Sequence, residues 1–145
     1  MTGGYLLDVN LLLALVREDH VSHTIASRWF GRVGAANWAT CAMTEASFVR
    51  IVSNPSFFRH APDLAEAMRM LEILTRMPGH HFWTTDVPFS TSVEPLLDRV
   101  FGHQQVTDAY LLGLAITKKG KLATLDRGIR LLAGSEHWAH VEVLH

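Results

Sequence analysis

Cysteine is nearly missing from this chain: Cys41 is the single thiol, so no internal disulfide can form and the fold must hold together by burial. A reducing cytosol is the compartment that fits such usage. Long hydrophobic runs are missing too, and nothing approaches the roughly 20 apolar residues that cross a bilayer. The N-terminus lacks a basic region followed by an apolar one, so it does not read as a secretory signal. Repeats, low-complexity tracts and linker-like stretches are absent. Charge excess is missing as well: 13 Lys and Arg stand against 14 Asp and Glu, a formal net charge of −1. That balance gives no general attraction to a polyanion. What is present is 145 residues that are 48% hydrophobic, enough for one domain over residues 1–145 with a proper core.

Acidic residues stand where the chain changes structure. Asp8 closes the apolar run Tyr5-Leu6-Leu7, and a helical pattern follows through Leu13 and Val16. A second helix is expected over 21–32, with Ile25, Trp29 and Val33 as its buried stripe at i, i+4, i+8. Residues 37–41 read as a strand, and Thr44 is placed to cap the helix that Glu45 opens. Asp63 starts a longer helix to Arg76, in which Leu64, Met68, Leu71 and Leu74 keep helical spacing while Met70, Ile73 and Met77 widen the apolar face. That width fits a well-buried core helix, or else a helix that also meets a partner chain. A strand over 81–84 and a helix over 91–101 come next. Then follows a helix from Thr107, its expected cap, to Lys119, with Asp108 in its first turn. Strand 121–125 is closed by Asp126, and a short helix over 127–133 and a strand over 141–144 end the chain.

Five short apolar strands joined by helical crossovers predict an α/β fold, a parallel sheet with helices on both faces. Right-handed crossovers bring the carboxyl ends of the strands to one edge. Asp8 and Asp126 end strands there, and Glu45 and Asp108 start helices there, at the edge where open α/β sheets place their ligands. Each acid alone is ordinary turn or helix-start chemistry. Four together repel one another unless protons or a divalent cation neutralise them, and carboxylates of this kind suit Mg²⁺. Setting the four aside leaves ten acidic residues against the 13 basic ones, so a metal-loaded pocket with a positive rim is compatible with a polyanionic substrate.

The ordered set Leu-Leu-Asp8-Val-Asn10, Thr44-Glu45 with Arg50 following, Thr107-Asp108-Ala-Tyr-Leu and Leu-Ala-Thr-Leu-Asp126-Arg127 resembles the PIN domain. More narrowly, it is similar to the toxin component of VapBC-type type II toxin–antitoxin modules, and the likeness spans almost the whole chain. The resemblance implies a three-layer α/β/α fold around a five-stranded parallel sheet. It also implies a metal-dependent endoribonuclease in which Asp8, Glu45, Asp108 and Asp126 form an acidic quartet for Mg²⁺ or Mn²⁺. Asp8 and Asp108 are the expected metal ligands, with Asp126 the weakest candidate for direct ligation. Asn10 matches the polar residue after the first Asp and would orient Asp8 or a water. A cognate antitoxin that covers the site, and a homodimer, are further implications. Arg50 and Arg127 are the candidate contacts to substrate phosphates.

Two other functions compete. A phosphatase with Asp8 as nucleophile usually has a second Asp two residues on, where this chain has Asn10. A domain that binds RNA or an antitoxin without cutting is the non-enzymatic alternative, and an intact quartet argues against it. Nine histidines raise the question of zinc, but the lone Cys41 leaves no familiar four-ligand set. His103 precedes the Asp108 helix and reads as a loop residue near the expected site. Lys118, Lys119 and Lys121 form a basic patch at a helix end.

Overall fold

The computed structural model describes residues 3–145. Five strands, β1 (Tyr5–Leu7), β2 (Trp38–Thr40), β3 (His80–Phe82), β4 (Lys121–Thr124) and β5 (Val141–Val143), pair in parallel in the order β3-β2-β1-β4-β5. Seven α-helices among the described residues connect them: α1 (Val9–Val16), α2 (His23–Arg32), α3 (Ala42–Val52), α4 (Leu64–Thr75), α5 (Phe89–Val93), α6 (Val106–Thr117) and α7 (Ile129–Ala133). Each strand is only three or four residues long, so burial on both faces, not strand length, stabilises the sheet. Alternation does this within one strand: Leu6 packs into the core under α5, α6 and α7, and Leu7 into the core under α1 to α4. Both leucines are 0% exposed, each side chain contributing about 1.5–3 kcal/mol by leaving water. The result is the expected three-layer α/β/α arrangement.

The central strand is β1. The chain leaves it through α1 and α2 to β2 on one side, and α6 returns to β4 on the other. The crossovers therefore diverge beside β1, and a crevice opens at the carboxyl ends of β1 and β4. Helix α6 runs antiparallel to the strands it covers, β4 and β1, so its N-terminus lies at that crevice and its C-terminus at the opposite edge. Its close approach to α5 depends on Gly113, where an added Cβ would lie 2.1 Å from the Ser92 carbonyl oxygen.

Several local expectations are corrected. In α2 the buried residues are Ala26, Trp29 and Phe30, whereas Ile25 and Val33 are 36% and 39% exposed. The helix starts at His23, and its buried face follows i, i+3, i+4 from Ala26 rather than a strict four-residue step. Thr44 does not cap α3. Cys41 is the N-cap, and the Thr44 hydroxyl one turn in accepts from the Cys41 N–H at 3.0 Å, the far half of a capping box. Thr107 does not cap α6 either: a 3₁₀ turn over His103–Gln105 runs directly into that helix, and Thr107 is exposed within it. The helix expected over 91–101 is α5 followed by a 3₁₀ segment, Glu94–Arg99, with Pro95 at the junction. Helix α4, capped by Asp63 as expected, is not a well-buried core helix. Only Ala67, Leu71 and Leu74 are buried, and Leu64, Met68, Ile73 and Met77 are exposed. The apolar face is wider than the face the sheet covers.

Candidate active site

Asp8 is the N-cap of α1 and directly follows β1. Its Oδ1 accepts from the Leu11 N–H at 2.9 Å, a helix-capping bond, and its Oδ2 accepts from the Thr124 hydroxyl at the end of the neighbouring strand β4. The side chain is nearly closed off from solvent, at 7% exposure. Burial raises the carboxyl pKa from 3.8 to about 6 against the lowering effect of both hydrogen bonds, and the charges of Asp108 and Asp126 push it the same way as burial. Asp108, half-buried in the first turn of α6, is raised chiefly by burial and then by Asp126. Three aspartates from β1–α1, α6 and the end of β4 thus feel one another across the crevice.

Asp126 is the outermost of the three. Its own N–H donates to the Thr124 hydroxyl oxygen at 3.1 Å, and its Oδ1 accepts from the Gly128 N–H at 2.8 Å, so it shapes the turn leading into α7. Thr124 joins two acids, donating to Asp8 and accepting from Asp126. Sequence reasoning passed over it. The signal was available: two residues before Asp126, on a strand paired with β1, its side chain lands beside Asp8.

Glu45, in the first turn of α3 at the same edge of the sheet, has partners of its own. Its Oε2 accepts from the Thr40 hydroxyl at 2.6 Å, and that hydroxyl lies 2.8 Å from His80 Nε2. Thr40 and His80 were also missed from sequence, because they belong to different strands 40 residues apart. Asn10 is exposed on α1, and the oxygens of Asp8 accept from Leu11 and Thr124 rather than from it. Arg50 is exposed on α3 and lines a groove of 690 Å³ with Glu45, Leu64, Met68 and Phe82. Arg127 is exposed immediately after Asp126, and His103 is exposed on the 3₁₀ turn before α6. The basic patch lies away from the crevice: Lys118 and Lys119 follow the C-terminus of α6 and Lys121 begins β4, at the opposite edge.

Among the described residues, no three His, Cys, Asp or Glu side chains converge closely enough to hold an ion together. The donor chemistry nonetheless suits a hard divalent cation. Mg²⁺ commonly takes one or two carboxylates and keeps several waters, and Asp8 and Asp108 are carboxylates raised by burial, with no basic side chain among the described residues offsetting them. A buried acid in that condition is relieved by a proton or by a cation.

The chain belongs to the PIN-domain family, whose profile matches residues 5–135. Within that class its relatives are VapC ribonucleases. It is 42% identical to the ribonuclease VapC39 of Mycobacterium tuberculosis over 139 residues, 96% of this chain and 98% of that one. It is 40% identical to the ribonuclease VapC38 of the same organism over 139 residues, 96% of each. Among solved structures, the M. tuberculosis VapC20 toxin, described as cleaving the sarcin–ricin loop, superposes with a TM-score of 0.63 at 16% identity over 98% of this chain and 100% of that one. VapBC2 of Rickettsia felis, bound to a promoter DNA fragment, gives 0.64 at 12% identity, covering 97% and 98%. At such identities these likenesses speak to the fold. No described helix is long and apolar enough to cross a membrane.

Proposed function

We propose that this protein is a divalent-metal-dependent endoribonuclease, the toxin half of a VapBC-type module, with Mg²⁺ as its ion and Mn²⁺ able to substitute. The observation that carries this reading is the buried Asp8 carboxyl, raised to about 6 and coupled to Asp108 and Asp126 at the carboxyl edge of the sheet. The identity of over 40% to VapC39 across nearly the full chain supports the same reaction class. Asp8 and Asp108 would hold the cation. When bound, it supplies charge neutralisation and Lewis-acid activation of water at a phosphodiester.

The chain's own groups supply the rest. Thr124 and the Leu11 N–H fix Asp8 on two sides, so the carboxylate is positioned before substrate arrives. Glu45 orients the attacking water and takes its proton. Attack at phosphorus displaces the 3′ oxygen, which leaves as the 3′-hydroxyl of the upstream fragment once protonated, and the downstream fragment keeps the phosphate on its 5′ oxygen. Asp126 keeps the entrance negative and holds the turn that presents Arg127. Arg50 and Arg127, both exposed at the rim, bind flanking phosphates. A nucleophilic role for Asp8 fits poorly, because both of its oxygens accept hydrogen bonds in a site 7% exposed.

A cognate antitoxin and a second copy of the chain are the partners this reading includes. Exposed Leu64, Met68 and Ile73 on α4, with Met77 just beyond its end, supply apolar surface for them, and the VapBC complexes among the fold neighbours support the antitoxin. The test is cleavage of total RNA by purified protein with Mg²⁺ or Mn²⁺, with EDTA, and beside Asp108→Asn. Discrete new 5′ ends that need metal and vanish in the variant are expected. Equal cutting by the variant would overturn the proposal.

A further inference from the structure

Thr40 is the last residue of β2 and is 0% exposed. Its hydroxyl has one proton and two partners at hydrogen-bond distance, Glu45 Oε2 at 2.6 Å and His80 Nε2 at 2.8 Å. An ionised carboxylate only accepts. The Thr40 proton therefore goes to Glu45, and the Thr40 oxygen must accept from a protonated Nε2 of His80. With Glu45 ionised, the direction of the chain follows from valence.

His80 is well placed for this. It begins the edge strand β3, is paired in register with Trp38, and stands edge-on to that indole with ring centroids 4.7 Å apart. Its imidazole reaches past the Trp38 level to Thr40, while the Trp83 N–H donates to the Thr40 carbonyl at 2.8 Å and ties the end of β3 to β2. The Glu45 N–H donates to the Cys41 carbonyl at 3.0 Å, so the backbone beneath the carboxylate is fixed by the first turn of α3. Oε1 of Glu45 accepts no hydrogen bond among the described residues, whereas Oε2 is held.

We propose that His80 and Thr40 form a positioning relay, His80 Nε2–H to Thr40 Oγ1–H to Glu45 Oε2, which fixes the Glu45 carboxylate for the reacting water. The inference rests on the proposed nuclease reading, because it presumes that Glu45 acts in catalysis. His80 and Thr40 touch neither substrate nor reacting atoms; they act through Glu45. The ring also has a backbone hydrogen bond with Thr75. The doubly protonated ring makes the Thr75 and Thr40 bonds at once; a neutral ring protonated at Nε2 keeps the relay and gives up the bond to Thr75, and a neutral ring protonated at Nδ1 breaks the relay.

The full chain is assayed on an RNA that it cuts, with Mg²⁺, as wild type, Glu45→Gln, Thr40→Val, Thr40→Ser, His80→Phe and His80→Gln. Removing a group that orients a catalytic residue through a hydrogen bond commonly lowers activity by about 10–100-fold. Thr40→Val and His80→Phe are expected to lose that much in kcat with KM little changed. Thr40→Ser and His80→Gln keep a hydroxyl and an Nε2–H donor at the same places, and each is expected to recover most of the loss. Nitrogen-15 NMR of ring-labelled protein is expected to show a protonated Nε2 at His80, a readout that needs no substrate or metal.

Full kcat in His80→Phe while Glu45→Gln is dead would overturn the relay and leave the nuclease reading standing. A neutral His80 protonated at Nδ1 would overturn it too. Full activity of Glu45→Gln would remove the role of Glu45 and the relay with it, whereas full activity of Asp108→Asn would strike the nuclease reading itself. Should Thr40→Val fail to fold, the pair His80→Phe and His80→Gln decides, since His80 is only partly buried at the sheet edge.

Discussion

Replacing Asp8 by Asn removes a charge that the metal-free fold tolerates poorly, and the size of the gain follows from the titration of the wild type. The folded carboxyl titrates at about 6 against 3.8 in its ordinary state. A folded pKa raised above the unfolded one gives stability that is fully present below 3.8 and lost as pH rises through about 6. At about 1.36 kcal/mol per pH unit, the loss totals about 3 kcal/mol by neutral pH. The Asn variant escapes it. Its Oδ1 still accepts from the Leu11 N–H, and its amide can donate to the Thr124 oxygen, so both local bonds have a counterpart. At roughly 2–4 °C per kcal/mol for a chain of this size, Asp8→Asn is expected to melt about 6–12 °C above wild type at pH 7.5 in EDTA. The two should converge as pH falls below 4. Thermal unfolding followed by circular dichroism between pH 3.5 and pH 8 measures the difference, and subtraction of the two curves cancels the titrating groups that do not interact with Asp8. A gap that does not change with pH, or a variant less stable at pH 7.5, would refute the claim that burial raises Asp8.

Thr124→Val removes the hydroxyl that lowers the Asp8 pKa and the acceptor of the Asp126 N–H, so the Asp8 midpoint should move above 6 and stability fall by about 1–3 kcal/mol; the same melting series reads both. Gly113→Ala drives a methyl to 2.1 Å from the Ser92 carbonyl oxygen, and α6 must shift away from α5 at a cost of about 1–3 kcal/mol, seen as a lower denaturant midpoint. Arg50→Ala and Arg127→Ala are each expected to raise KM for RNA several-fold with kcat nearly unchanged, and to flatten the salt dependence of binding; an unchanged KM in both would remove these arginines from the substrate path.

The sheet was legible because its strands are short apolar runs between helical patterns, and parallel order follows from the crossovers. Asp8, Asp108 and Asp126 were legible for the same reason: their positions are set by where strands end and helices begin. Side-chain direction was not. Thr44 and Thr107 stood before acids at helix starts and read as caps, yet the capping positions fell to Cys41 and Gln105 because each helix begins earlier than its first acid. The α4 apolar face was visible in sequence, but whether it is covered depends on neighbours, and α1, α2 and α3 cover only part of it. Thr40 with His80, and Thr124 with Asp8, are pairings across strands. Sequence spacing carries no trace of them until register is known, since a shift of one residue would turn each side chain to the other face.

Two acids at this edge are held in opposite ways, and the contrast bears on the roles proposed for them. Asp8 has two donors, yet burial outweighs them and its carboxyl is raised to about 6, with Asp108 and Asp126 adding to the cost of its charge. Taking up a divalent cation there must displace a proton at low pH, so metal affinity should climb as pH rises to about 6 and level off above it. Glu45 stands outside that set of mutual repulsion and takes a 2.6 Å bond from a buried neutral hydroxyl that His80 supports from behind. An acid whose charge is poorly met by its surroundings is suited to hold a cation. An acid whose one oxygen is fixed by a neutral donor, with the other left without a partner among the described residues, is suited to hold a water in line. Neutral donors can fix a carboxylate without quenching its charge, which an arginine in the place of Thr40 could not do. On the proposed nuclease reading, the edge separates metal holding from water orientation by the kind of partner each carboxylate has, and the two functions should fail separately when those partners are removed.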